Sequence, residues 1–359
     1  MTYSLWADLL SYPADNPLTT TARAVRRALS TSDDILYDED LQLALFCLYE
    51  LHYGGINGVD DRWEWEPSLL EIRREMETAF EARLRRGVTE QYGSWEQMPR
   101  SAQEVADRLF EMAGSGSGPS VSDFVGRTAD LEQAREFLVH KSVYQLKEAD
   151  PHTWAIPRLT GRPKSALVEI QADEYGGGRP GRMHAELFAG TMAGLGLDPR
   201  FGAYVDWAPA LSLASVNLMS LFGLHRRLRG AIAGHLALYE MTSSLPNASY
   251  ARGFRRLGFA SPVTDYFDEH VEADAVHEQI AGRDLAGALV EQESLLADDV
   301  FFGAASACLL DDLLGRWQLE SWQSGRSSLL RPVPVAASLP DPGTVLETEP
   351  ETEPEALLA

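Results

Sequence analysis

The stretch "DEYGGGRPGRMHAELF", Asp173–Phe188, places three acids, a glycine run, a proline and a histidine inside a chain that otherwise reads as helix. Three readings suit it: a loop between helices, a phosphate cradle, or a break in a helix that carries metal ligands. The phosphate reading fails on spacing. A dinucleotide fingerprint needs GxGxxG between a strand and a helix, and a P-loop needs GxxxxGK[ST]; neither occurs here, and no βαβ pattern surrounds the run. The other two readings turn on Glu174 and His184. Ten residues of unbroken helix would hold them about 15 Å apart along the axis and about 80° apart around it, too far to share a metal. Gly176, Gly177, Gly178 and Pro180 let the backbone kink or unwind and turn both side chains inward. The plainer alternative is an ordinary interhelix turn with Glu174 and His184 unrelated.

Working outward, apolar residues recur at intervals of three and four, and strand-like alternation is scarce, so the expected fold class is all-α. Leu221, Leu224, Leu228 and Ile232 share one face, as do Leu285, Ala288 and Leu289. Helices are expected over 163–175, 182–195, 205–243, 246–257, 262–281, 282–296 and 298–323. Residues 1–113 read as an N-terminal helical layer, with "DEDLQLALFCLYELHY" (Asp38–Tyr53) as a strong amphipathic helix. "GSGSGPS", Gly114–Ser120, reads as a linker into a domain over 114–325. Residues 326–359, rich in Pro, Glu and Thr, read as a disordered acidic tail.

The chain has 359 residues and a formal net charge of −23, with six of its acids in the last twenty positions. That charge repels nucleic-acid backbones and anionic membranes, so neither is an expected partner. The start of the chain shows no basic region or cleavage site, and no run approaches the roughly twenty apolar residues of a membrane span. A cytoplasmic protein is expected. Cys47 and Cys308 sit in apolar runs as buried free thiols, outside any CxxC pair. GxSxG and HExxH are absent.

Chemistry concentrates in "YFDEHVEADAVHEQI". His270, Asp274 and His277 sit at i, i+4 and i+7, within about 60° of arc on a helix. Two imidazoles and a carboxylate on one stripe are costly to bury without a partner; the alternative is a solvated face among Asp268, Glu269, Glu272 and Glu278. Glu240 closes the apolar helix "GAIAGHLALYEM", one turn after Leu236. If it faces the core it needs a cation, and otherwise it is a solvated helix end. Glu148, in "QLKEADPHTWAIPRL", reads on its own as a surface residue. His140, His152, His225 and His235 are not counted as ligands: His225 neighbours two arginines at the surface, and His235 suits a satisfied core position.

Taken together, E-x9-H, a glutamate on a long helix and H-x3-D-x2-H resemble the haem-oxygenase-like di-iron oxidases and oxygenases, a family of iron-containing redox enzymes. The phrases "KEADPHTW", "EIQADEYGGGRPGRMHAELFA", "YEMTSS" and "DEHVEADAVHE" carry the likeness, over roughly residues 120–325. Ferritin-type bundles differ, using two Glu-x-x-His pairs that this chain lacks. The resemblance implies a haem-oxygenase-like helical bundle. It implies that Glu174, His184 and His277 hold one iron and that Glu240, His270 and Asp274 hold the other, with Glu174 bridging. Glu148 matches a further glutamate ligand of the N-oxygenating branch; branches that cleave or desaturate amino or fatty acids generally lack it. The implied cofactors are two Fe ions, with O2 as co-substrate and an external reductant. The implied substrate is a small amine or amino acid in natural-product biosynthesis. The N-terminal layer matches a dimerisation region, so a homodimer is expected. Some relatives continue into a cupin metal domain; with only a short tail after the last expected helix, that second reaction is not expected here. Two readings stand beside N-oxygenation: C–C cleavage, decarboxylation or desaturation at the same site, and a metal-free helical binding protein. Four acids disfavour a bound haem.

Overall fold

The computed structural model describes residues 5–6, 9–10, 19–95, 97–115 and 120–333, with backbone alone for 19 and 272–275. Among them there are helices and no strand. The N-terminal layer holds α1 (Thr19–Thr31), α2 (Glu39–Glu50), α3 (Pro67–Tyr92) and α4 (Ala102–Gly114). Side chains start these helices. Asp38 accepts from the Leu41 amide at 3.0 Å to open α2, and Ser101 with Glu104 forms a capping box on α4, each satisfying amides that the first turn leaves without a partner. The bundle follows: α5 (Val121–Arg127), α6 (Leu131–Gln145), a short α7 (Asp150–Thr153), α8 (Gly161–Glu174), α9 (His184–Gly194), α10 (Ala210–Leu224), α11 (Arg229–Arg256), α12 (Asp265–Gln279), α13 (Ala288–Gln292) and α14 (Ala297–Gln323). No helix among the described residues is long and apolar enough to cross a membrane.

α10 and α11 are central, and α10, which carries no charged residue, is buried on nearly every face. α11 crosses α14 at two glycines. A Cβ on Gly234 would meet the Val300 carbonyl oxygen at 1.9 Å, and one on Gly303 would meet the Ala231 carbonyl oxygen at 1.9 Å. The backbones therefore touch, which only glycine permits. The N-terminal layer shares this core: Leu41, Leu45 and Phe80 belong to one apolar cluster with Leu218, Leu236 and Phe301.

Several expected boundaries move. The helix expected over 205–243 divides at His225, whose extended backbone (φ −102°, ψ 111°) ends α10. Arg158 reaches across to donate to the Gly223 and Leu224 carbonyls and so satisfies that helix end. The break expected before 246 does not occur; Pro246 lies inside α11, where packing of Ala251, Gly253 and Phe254 outweighs the missing amide. The break expected at 281–282 is instead a π-helical segment, Ile280–Gly287, that continues α12 into α13. The extra residue per turn shifts the helical phase, and Ala281, Leu285 and Ala286 are buried along it. Order also extends past 326. Glu136 accepts from the Ser328 amide and hydroxyl at 2.8 and 2.7 Å, and the Leu330 amide donates to the Trp207 carbonyl at 3.0 Å. The expected tail beyond Val333, and most of the expected linker, lie outside the described residues. Cys47 and Cys308 are free and half-buried.

Candidate metal centre

Glu174 closes α8 and His184 opens α9. Between them Gly176, Gly177, Gly178 and Gly181 take φ of 66°, 62°, 74° and 79°, a left-handed backbone that reverses the chain. A Cβ on Gly176 would lie 2.6 Å from the Arg182 carbonyl carbon. The reversal brings His184 Nδ1 to 3.0 Å from Glu174 Oε2, the closure that a straight helix forbids.

Three further elements converge there. Glu148, just beyond α6, points inward with 9% of its side chain exposed, which corrects its reading as a surface residue. The Tyr266 hydroxyl donates to both of its oxygens, at 2.9 and 2.8 Å. Glu240 is buried in the middle of α11 rather than at a helix end. α12 supplies His270 and His277, both buried. The side chain of Asp274 lies outside the described residues.

These side chains form two groups whose ligand-capable atoms lie within 4.8 Å of one another: Glu148, Glu174, His184 and His270, and Glu174, Glu240 and His277. Glu174 belongs to both. The grouping corrects the expected partition, which joined His184 to His277 and Glu240 to His270. Seven residues on a helix separate His270 and His277 by about 10 Å, so each reaches one end of the site. His270 meets His184, with ring centroids 4.3 Å apart, and His277 Nδ1 meets Glu240 Oε2 at 3.5 Å.

The ring orientations suit metal binding. His270 Nδ1 lies 2.7 Å from the Tyr266 carbonyl, which can only accept, so that nitrogen carries the proton. Nε2 then turns its lone pair toward Glu148, 3.7 Å away. His277 Nε2 donates to Asp173 at 2.9 Å, leaving Nδ1 facing Glu240. Such outer partners fix the tautomer of ligating histidines. His184 Nδ1 and His277 Nδ1 are buried without an aligned hydrogen bond, although carboxylates stand close. Unsatisfied nitrogens beside clustered acids are costly unless a cation fills the gap, and mixed imidazole and carboxylate donors suit iron. The residues fit a metal pair.

Electrostatics agree. Burial would raise the Glu174 carboxyl, but His184, His270 and His277 outweigh it and hold it below its usual range. Burial would lower His184, yet Glu174 raises it. His277 is likewise lowered by burial but carried up to about 9, chiefly by Glu240.

With this geometry in place, sequence comparison is decisive: residues 135–312 match the profile of the iron-containing redox enzymes. The chain belongs to that family. Its fold is the haem-oxygenase-like helical bundle. A nitrosourea synthase of Streptomyces achromogenes subsp. streptozoticus is 30% identical over 202 residues, covering 55% of this chain. The chain spans 42% of the length of that relative.

The histidines not expected as family ligands lie elsewhere. His140 bonds Ser212 and Ser328 at 2.7 and 2.8 Å. His152 and His235 pair with each other at 3.2 Å. His225, expected at the surface, is half-buried and bonds Glu77 of α3 at 2.9 Å. Sequence reasoning missed Asp173 and Tyr266. Both had a signal: Asp173 adjoins Glu174, and Tyr266 lies one turn before His270, where its carbonyl must face that residue.

Proposed function

We propose that this protein is a non-haem di-iron N-oxygenase, oxidising the amine nitrogen of a small molecule or amino acid with O2 and an external reductant. The observation that carries this reading is Glu148. It stands inside the site with Glu174, His184 and His270, as the resemblance to the N-oxygenating branch implies for its further glutamate ligand. Similarity to a protein named nitrosourea synthase, a product with an oxidised nitrogen, supports it.

Held by these residues, a pair of irons would supply the electrons that activate dioxygen. The protein's own residues set the conditions. Glu148, Glu174 and Glu240, with Asp274 as the proposed fourth carboxylate, match the four charges of two ferrous ions. Asp173 and the Tyr266 carbonyl hold the ring protons of His277 and His270 on the outer side. The Tyr266 hydroxyl fixes the plane of the Glu148 carboxylate. Phe188 and Ile170, both fully buried, keep water from the helices that carry Glu174 and His184.

The test supplies ferrous protein with oxygen, reductant and a panel of amines and amino acids. The expected result is a product with a new N–O bond whose oxygen comes from O2, reduced more than about 10-fold in Glu148→Ala. A cleaved or desaturated product with an intact amine would overturn the N-oxygenase reading in favour of carbon oxidation.

A further inference from the structure

Lys147 immediately precedes Glu148 and points the opposite way. Its ammonium is buried against the Glu50 carboxylate at the end of α2, each side chain 6% exposed. Three aromatic rings surround it: Tyr53 at 4.1 Å, Phe201 at 5.2 Å and Phe46 at 5.3 Å from the nitrogen. Glu50, Phe46 and Tyr53 all come from α2 and the turn after it. A buried ion pair contributes little net stability, because desolvation offsets the attraction. A lysine paired with Glu50 inside an aromatic box therefore needs another reason to be there.

The backbone supplies one. Ala149 has φ 76°, the left-handed region that a residue with a Cβ avoids. Strain of this kind persists only where the surroundings over-determine it. They do: the Ala149 carbonyl accepts from Gln171 Nε2 at 2.8 Å, and Asp150 accepts from the Tyr175 hydroxyl at 2.7 Å. Lys147 fixes the near side of the same turn. With both flanks held, Glu148 has one direction left, toward Tyr266 and His270.

We propose that Lys147, clamped by Glu50, is a positioning residue that aims Glu148 into the metal centre and couples the N-terminal layer to it. This inference rests on the metal-centre reading above. The coupling is directional: it acts on the group that contains Glu148 and leaves Glu240 and His277 alone.

The test is Co2+ titration of the full-length protein, followed by its visible absorption, with Lys147→Met, Glu50→Gln, the double variant and Lys147→Arg. Thermal unfolding without metal runs in parallel. Wild type should take up two Co2+ per chain. Lys147→Met should weaken one of the two binding steps roughly 10- to 100-fold and shift its absorption bands, with the other step unchanged. The double variant strands no charge, so it separates aim from burial: it should regain thermal stability and keep the weakened step. Lys147→Arg should recover part of the affinity. Wild-type affinity and spectrum in Lys147→Met would overturn the clamp. So would full recovery of the weakened step in the double variant, which would assign the defect to a stranded carboxylate. Loss of both steps in parallel with unfolding would overturn it too, as a merely structural role. A wild type that binds no Co2+ would overturn the metal centre itself, an outcome that the unmodified protein alone decides.

Discussion

Two sets of buried histidines lie close together in this bundle and behave in opposite ways. His184, His270 and His277 stand among carboxylates; His152 and His235 stand against apolar side chains and each other. Burial acts to depress His184 and His277 in the first set and both members of the second. In the first, Glu174 and Glu240 overcome it, so that His184 and His277 are held up. In the second nothing does: His152 is pushed down to about 4, and His235 falls well below its ordinary value. Only Ala149, Asp150 and Pro151 separate Glu148 from His152. Burial of a histidine therefore says little by itself. The acids beside it decide whether it belongs to a cation site or to a neutral core.

The largest expected effect comes from removing the acid common to both groups. Glu174→Ala should weaken uptake of both metal ions by more than about 100-fold, measured by titration with ferrous iron under anaerobic conditions. Retention of either ion at wild-type affinity would break the distinction between the two sets. Asp173→Asn should cost roughly 10- to 100-fold at the His277 end alone, because Nε2 loses the acceptor that fixes its tautomer. In contrast, His152→Phe or His235→Leu should change metal affinity by less than about twofold. Each variant removes one ring of a neutral pair and leaves its partner's nitrogen without a bond, so thermal unfolding should register a loss of about 1–3 kcal/mol.

Acid sharpens the comparison further. Burial pushes His140 down to about 3, and His52 and His152 to about 4. All three folded values lie below the unfolded value near 6.5, so on acidification the unfolded chain binds protons that the folded chain refuses. Stability from these neutral rings is complete above about pH 6.5 and lost as pH falls toward those values. The loss should reach roughly 3 kcal/mol per ring by about pH 4, read from denaturant midpoints of metal-free protein, and His152→Phe should reduce it. The smallest effect is expected at the residue between the sets. Ala149→Gly should stabilise the metal-free protein by up to about 1 kcal/mol by relieving its left-handed strain, read from the same midpoints.

Much of the candidate site was legible because its side chains sit at helical intervals or beside a conspicuous break. The spacing of His270 and His277, and the glycines between Glu174 and His184, needed no partner to interpret. The direction of Glu148 was not legible. It depends on a left-handed alanine, a tyrosine 118 positions away and a lysine held by another helix. The metal grouping failed for a related reason: one-face arguments place His270 and His277 together, whereas their separation along the axis sends them to different ends. Among the helices, α10 ends because Arg158 caps it from a distant part of the chain, and α11 continues through Pro246 because its flanks are packed. The order of Ser328 comes from Glu136 and His140, far earlier in the sequence. Each of these is a long-range cause, invisible to local pattern.

The central claim is that Glu174 joins two metal sites into one centre, and electron paramagnetic resonance of Mn2+-loaded protein tests it most directly. The account predicts two Mn2+ per chain with the spectrum of an exchange-coupled pair, which Glu174→Ala abolishes. A six-line spectrum of isolated Mn2+ in the fully loaded wild-type protein would contradict it.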